Sequence, residues 1–152
     1  MVEFFEKHLA AYSASDWDAY KADLASDVVY EEMSTGTRAT GPDAYVNAVA
    51  RWKKAFPDLK ANIRRTFMLG DIGVAEVEWE GTQSGPLETS FGTLPPSNKR
   101  GSVKACIISR LKDGKVAETR HYFDQLTILQ QTGAGAFAGA AAREAAQPEM
   151  RH

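Results

Sequence analysis

The residues best suited to chemistry lie along the last apolar run of the chain, Lys115 to about Gln125, where Arg120, Tyr122 and Asp124 alternate with other residues. On a strand this alternation puts all three on one face. An Asp at a strand end, flanked by Tyr122, Phe123 and Leu126, is expected to be partly desolvated. Desolvation raises a carboxyl pKa toward the operating pH and suits the group to moving protons. Such a carboxylate can take the acidic proton between two carbonyls to make an enolate, then protonate the new alkoxide. Arg120 and Asp124 stand roughly 13 Å apart at about 3.3 Å per residue, so only a bulge or the strand end brings them together. Arg120 either favours an anionic or oxygen-rich ligand or simply pairs with Glu118. His121 has the opposite parity and is expected on the outer face, opposite Cys106. His8 and His152 have no partner at metal-ligand spacing, so no metal site is expected. Cys106 reads as a small buried hydrophobe. With no Gly-rich phosphate loop after a strand and no Gly-x-Ser-x-Gly elbow, neither a nucleotide cofactor nor serine hydrolase chemistry is expected.

These groups need elements to hold them. Phe4, Phe5, His8, Leu9 and Tyr12 recur at helical spacing, which predicts a helix over about 2–14. Ser15 is placed to cap a second helix over about 16–24, with Trp17, Tyr20 and Leu24 on one stripe. Val28 to Glu32 reads as a strand, and Gly36 to Gly41 as a loop. Pro42 opens a third helix, 42–55, burying Tyr45, Val46, Val49, Trp52 and Phe56 with Arg51, Lys53 and Lys54 outward. After Pro57 the period changes to two. Strands are expected over 60–69, 74–82, 100–111 and 115 to about 125, with a long loop from Gln83 to about Asn98. Asp113-Gly114 marks a hairpin. Pairing Leu111 with Val116 sets Val103, Ala105 and Ile107 opposite Asp124, Tyr122 and Arg120. The result is an apolar floor with polar groups rising from it, as in a small-molecule pocket. Tyr30, Trp52 and Trp79 line such a pocket or belong to plain core. Helices first and a meander after them imply α+β, with helices on one face of a curved sheet.

The chain has 152 residues, 43% hydrophobic and 25% charged, which is the size and composition of one globular domain. Its 18 basic and 20 acidic residues leave no basic surplus for phosphate contacts, so no nucleic-acid partner is expected. No apolar run reaches the roughly 20 residues that span a bilayer, and the start does not resemble a signal peptide, so no membrane partner is expected. One cysteine allows no internal disulfide and fits a cytoplasmic location. Residues 134–152, rich in Ala and Gly, read as a mobile tail outside a domain of 1–133.

The ordered landmarks Asp16-Trp17-Asp18-Ala19, Asp27-Val28-Val29-Tyr30, Ala55-Phe56-Pro57-Asp58-Leu59, Gly81-Thr82, Leu94-Pro95-Pro96-Ser97, Asp113-Gly114-Lys115-Val116, Tyr122-Phe123-Asp124 and Leu129-Gln130-Gln131-Thr132-Gly133 resemble the SnoaL-like polyketide cyclases of the nuclear transport factor 2-like superfamily. The resemblance implies a cone-shaped α+β fold, a curved antiparallel or mixed sheet wrapping three helices around a pocket. It implies the general acid/base role for Asp124, whose alternative is simply to cap the segment after the last strand. Glu32 falls where the related ketosteroid isomerase segment carries its proton-shuttling acid, with Glu31 as a competitor. Gln83 stands where many members have His, and it can donate a hydrogen bond but cannot move a proton. Arg120 stands where members commonly have Trp.

Together these readings imply a cofactor-free enzyme promoting proton transfer, such as an intramolecular aldol cyclisation, on a hydrophobic carbonyl substrate. Alternatives are a ketosteroid-isomerase-like isomerase, an epoxide hydrolase, or a small-molecule-binding module without turnover. A closed cavity with Asp124 at its base favours catalysis; aromatic plugging with Asp124 exposed favours binding. A homodimer is expected through the outer sheet face carrying Lys104, Cys106, Ile108, Thr119, His121 and Phe123.

Overall fold

The computed structural model describes residues 2–133; the tail expected over 134–152 lies outside them. Helix α1 (Val2–Ser13) turns its Phe5, His8, Leu9 and Tyr12 edge inward, as the helical spacing requires. The short α2 (Trp17–Ala22) is capped by Asp16, whose carboxylate accepts from the Ala19 amide. Ser15, the expected cap, instead sits in the left-handed turn before it, at φ 56°. Strand β1 (Leu24–Glu32) begins earlier than the β-branched run suggested. The segment expected as a loop holds a four-residue edge strand, β2 (Thr37–Thr40). Helix α3 (Pro42–Ala55) starts on Pro42 as expected and buries Tyr45 and Val49.

Strands β3 (Lys60–Leu69) and β4 (Ile72–Thr82) form the first long hairpin. A small hairpin, β5 (Leu87–Thr89) with β6 (Gly92–Leu94), occupies the expected long loop. Strands β7 (Arg100–Lys112) and β8 (Lys115–Phe123) turn through Asp113 and Gly114, both at positive φ, as the Asp-Gly signal implies. A short helix, α4 (Gln125–Gln131), follows where the strand was expected to run on. The main sheet has the order β2-β1-β8-β7-β4-β3 and is antiparallel except where β1 runs parallel to β8. Register shifts in β1/β8, β3/β4 and β7/β8 bend it. The helices close over its concave face, with Tyr12, Tyr20, Val28, Tyr30, Val77 and Val116 among the most buried side chains.

One contact fixes α3 against the loop beyond β4. The Gly85 amide donates to the Ala55 carbonyl at 3.1 Å, and a Cβ on Gly85 would stand 1.9 Å from the Lys54 carbonyl oxygen. Only glycine permits that approach. Lys53, expected outward, is buried, with Nζ donating to the Ser13 and Leu59 carbonyls at 2.9 Å each.

Candidate active site

The decisive detail is a one-residue slip between β7 and β8. Leu111 does pair with Val116, but Arg110 pairs with Glu118, so Ala117 is an extra residue on β8. A single extra residue transfers every side chain beyond it to the opposite face. Ile107 therefore faces His121 and Ala105 faces Phe123, on the concave side. Arg120 and Tyr122, expected in the pocket, pair with Ile108 and Cys106 on the outer face. Arg120 donates to Glu118 at 3.0 Å, the simpler of its two expected roles. The outer-face set expected for a dimer is corrected likewise: Thr119, His121 and Phe123 point inward.

Inside the cone is a cavity of about 80 Å³, lined mainly by aromatic and aliphatic side chains. Tyr30, Trp52 and Trp79 line it as expected, and His121 joins them. Tyr30 and Glu32, two residues apart on β1, both turn inward. Their partners form one line. The Trp79 indole N–H donates to His121 Nε2 at 3.1 Å. That nitrogen is thus an acceptor, which leaves the proton of the neutral ring on Nδ1. Nδ1 lies 3.4 Å from Tyr30 Oη, and the Tyr30 hydroxyl donates to Glu32 Oε2 at 2.9 Å. Burial pushes the His121 pKa down to about 4, with the Glu32 charge opposing it weakly, so the ring is neutral near pH 7. Burial also raises Tyr30 well above the ordinary phenol value, so it stays a donor.

Glu32 is fully buried and receives four donors. They are Tyr30, the Trp52 indole at 2.9 Å, the Thr35 hydroxyl at 2.7 Å and the Arg51 guanidinium. This is the complement of an ionised carboxylate. Arg51, expected outward on α3, compensates its charge, and the Arg51 Nε is buried with no partner among the described residues. Glu31, the competitor, pairs with Arg38 at the surface.

Two expected site residues lie elsewhere. Gln83 is buried, and its amide donates to the Gly85 and Pro95 carbonyls at 3.2 and 3.1 Å, pinning the loop that carries β5 and β6. Asp124 caps α4: it accepts from the Thr127 amide at 3.2 Å and the Thr127 hydroxyl at 2.7 Å. Those bonds, with Asp124 otherwise in water, lower its pKa. The desolvated, raised carboxyl expected from its apolar neighbours is therefore corrected. Phe123, which precedes it, lines the cavity. No group of three or more metal-ligating side chains occurs among the described residues. No described helix is long and apolar enough to cross a membrane.

Two cavity residues, His121 and His8, are not among the site residues expected from the sequence. His8 sat on the inward edge of the predicted helix, so its signal was present; that of His121 was hidden by the slip.

A bent sheet with helices in its concavity and a polar line ending in an aromatic cavity defines a ketosteroid isomerase-like, cone-shaped pocket protein. The chain belongs to the SnoaL-like polyketide cyclase family, whose model matches residues 3–132. Solved structures share the fold. A proposed SnoaL-like polyketide cyclase from Jannaschia sp. CCS1 is 22% identical, with a TM-score of 0.78, covering 88% of this chain and 91% of the other. TsrD from Streptomyces laurentii is 26% identical, with a TM-score of 0.74 and coverage of 87% and 93%. A ketosteroid isomerase-like protein from Catenulispora acidiphila DSM 44928, solved with trimethylamine, is 18% identical, with a TM-score of 0.74 and coverage of 86% and 92%. No protein of curated function matches the chain.

Proposed function

We propose that this protein is a cofactor-free proton-transfer enzyme acting on a compact hydrophobic carbonyl compound, with intramolecular aldol cyclisation of a polyketide-like substrate as its particular reaction. The supporting observation is the buried line Trp79–His121–Tyr30–Glu32 ending in an apolar cavity. Hydrogen-bond donors fixed in a dry site stabilise the negative charge that develops on a carbonyl oxygen during enolisation. Tyr30 is the donor that meets such an oxygen. Glu32 is the carboxylate behind it, exchanging a proton through the hydroxyl. Asp124, the acid/base that the family resemblance implies, stands as the second candidate, next in the chain to the cavity-lining Phe123. The particular assembly proposed with this activity is a homodimer.

A reading without turnover is favoured by a separate observation: Asp124 is exposed and the cavity is narrow and aromatic. An engineered apolar cavity of about 150 Å³ holds a benzene, so a ligand larger than a few atoms must displace side chains here.

Isomerisation of cyclohex-3-enone to the conjugated enone, followed by ultraviolet absorbance, separates the readings. It needs only a proton moved from one carbon to another. Catalysis by the wild type, reduced about 10²- to 10³-fold in Tyr30→Phe, is the expected result. Binding of the ketone without turnover would favour the module. An equal loss in Asp124→Asn, with Tyr30→Phe unaffected, would move the acid/base role to Asp124.

A further inference from the structure

The polar line through His121 supplies donors, and its one carboxylate reaches the cavity only through Tyr30. The Glu32 oxygens are engaged by four donors, and His121 Nε2 is taken by Trp79. The second imidazole in the cavity wall is different. His8 is buried on α1, and its Nδ1 lies 2.9 Å from Asp23 Oδ2. A carboxylate can only accept, so the neutral ring carries its proton on Nδ1 and its lone pair on Nε2. Nε2 has no hydrogen-bond partner among the described residues.

The pair is held from several sides. Asp23 ends α2, and its carbonyl accepts from the Val116 amide at 2.8 Å, which ties it to β8. The hydrogen bond from His8 lowers the Asp23 pKa, and Lys7 and Lys115 add to the effect. The His8 ring stacks on Tyr20 at 4.1 Å and 17°, and on Phe4 at 5.7 Å and 12°. The two stacks and the Asp23 contact together hold the plane of the ring. Tyr20 stays protonated, because burial raises it well above the ordinary phenol value.

We propose that His8, oriented and charge-compensated by Asp23, is the general base that removes a proton from carbon in this cavity, and that its substrates are uncharged enolisable ketones. The inference rests on the proton-transfer reading above and adds to Glu32, which reaches a substrate only through the Tyr30 hydroxyl, a base whose lone pair no donor occupies. In the step, Nε2 takes the proton from the carbon α to the carbonyl. The C–H electron pair moves into the new carbon–carbon double bond, and the carbonyl electrons come to rest on oxygen as an enolate. The resulting imidazolium faces the Asp23 carboxylate. For cyclohex-3-enone the same nitrogen returns the proton to the γ carbon, giving the conjugated ketone with no oxidant, reductant or cofactor. Asp23 is a positioning residue: it sets the tautomer and offsets the charge but does not touch the substrate.

The test uses the full chain, cyclohex-3-enone as substrate and phenol as a stable mimic of the enol. His8→Gln keeps a polar side chain but cannot accept the proton. It should lower kcat by about 10²- to 10⁴-fold, the usual share of general acid–base catalysis. KM and phenol affinity should change much less. Asp23→Asn, at a partly exposed position, should fold as the wild type does and lower kcat with KM nearly unchanged. It therefore carries the test if His8→Gln does not fold. Wild-type rates in a folded His8→Gln or Asp23→Asn, alongside a deficient Tyr30→Phe, would overturn the base assignment and leave the proton-transfer reading standing. Absence of any wild-type isomerisation would overturn both.

Discussion

Protonating His121 puts a charge into a wall made of Tyr30, Trp79 and Phe123, and its pKa accordingly falls to about 4. In the unfolded chain an imidazole titrates near 6.5. Between those values the unfolded chain binds a proton that the native chain does not, so stability rises with pH across the window and falls as the solution is acidified through it. Above about pH 7 the group contributes nothing to the slope. Full loss amounts to no more than about 3 kcal/mol, and less if the ring retains some contact with water. Carboxylates whose pKa is lowered in the native state, such as Asp23 and Glu118, lose their contribution only below the ordinary carboxylate range. Denaturant titrations from pH 7 to 5 therefore report chiefly on histidine. His121→Gln should flatten the curve in that interval, and an unchanged slope would show that His121 is protonated in the native state.

At the scale of elements, the bulge at Ala117 determines which residues meet the cavity. Deleting Ala117 makes the spacing of β8 regular and turns His121 and Phe123 outward, while Arg120 and Tyr122 turn in. The variant buries a guanidinium without a partner, so it should lose cooperative thermal unfolding or melt far below the wild type. A wild-type melting curve would mean that β8 repairs its register elsewhere. The bulge also explains what was legible in the sequence. Helix periods, the Asp-Gly hairpin, and the alternation of Ala75, Val77 and Trp79 with three glutamates all gave elements within a few residues of those observed. Nothing marks the bulge: Val116-Ala117-Glu118 contains neither Gly nor Pro, and alternation fixes a strand's period without fixing its parity. The Asp124 cap has one partner in the sequence, Thr127 three residues on, and neither residue type distinguishes a cap from a catalytic carboxylate. Arg51 and Lys53 look like solvent residues on a helix because their buried partners, Glu32 and the Ser13 and Leu59 carbonyls, lie on other elements.

For the molecule as a whole, the corrected outer face is a grid of charges. Arg65 pairs with Glu76, Arg64 with Glu78, Arg100 with Glu80, and Arg110 and Arg120 share Glu118. Exposed pairs of this kind contribute little to stability. They leave Cys106, Ile108 and Tyr122 as the apolar centre of the face. A dimer formed there depends on matching two copies of the grid, and charge matching weakens as salt screens it. Light scattering should give a mass of two chains at low salt and a shift toward one at high salt. A value near 16.6 kDa at all concentrations and salts would count decisively against the dimer. The parallel pairing of β1 with β8 has a consequence for synthesis. The strand that follows the second helix receives its inner neighbour only when the final strand has left the ribosome. Until then β1, which carries Tyr30 and Glu32, can pair only with the short edge strand β2. The nascent chain can form its hairpins one after another, but the chamber closes as the last event, and in that interval its aromatic lining is open to chaperones.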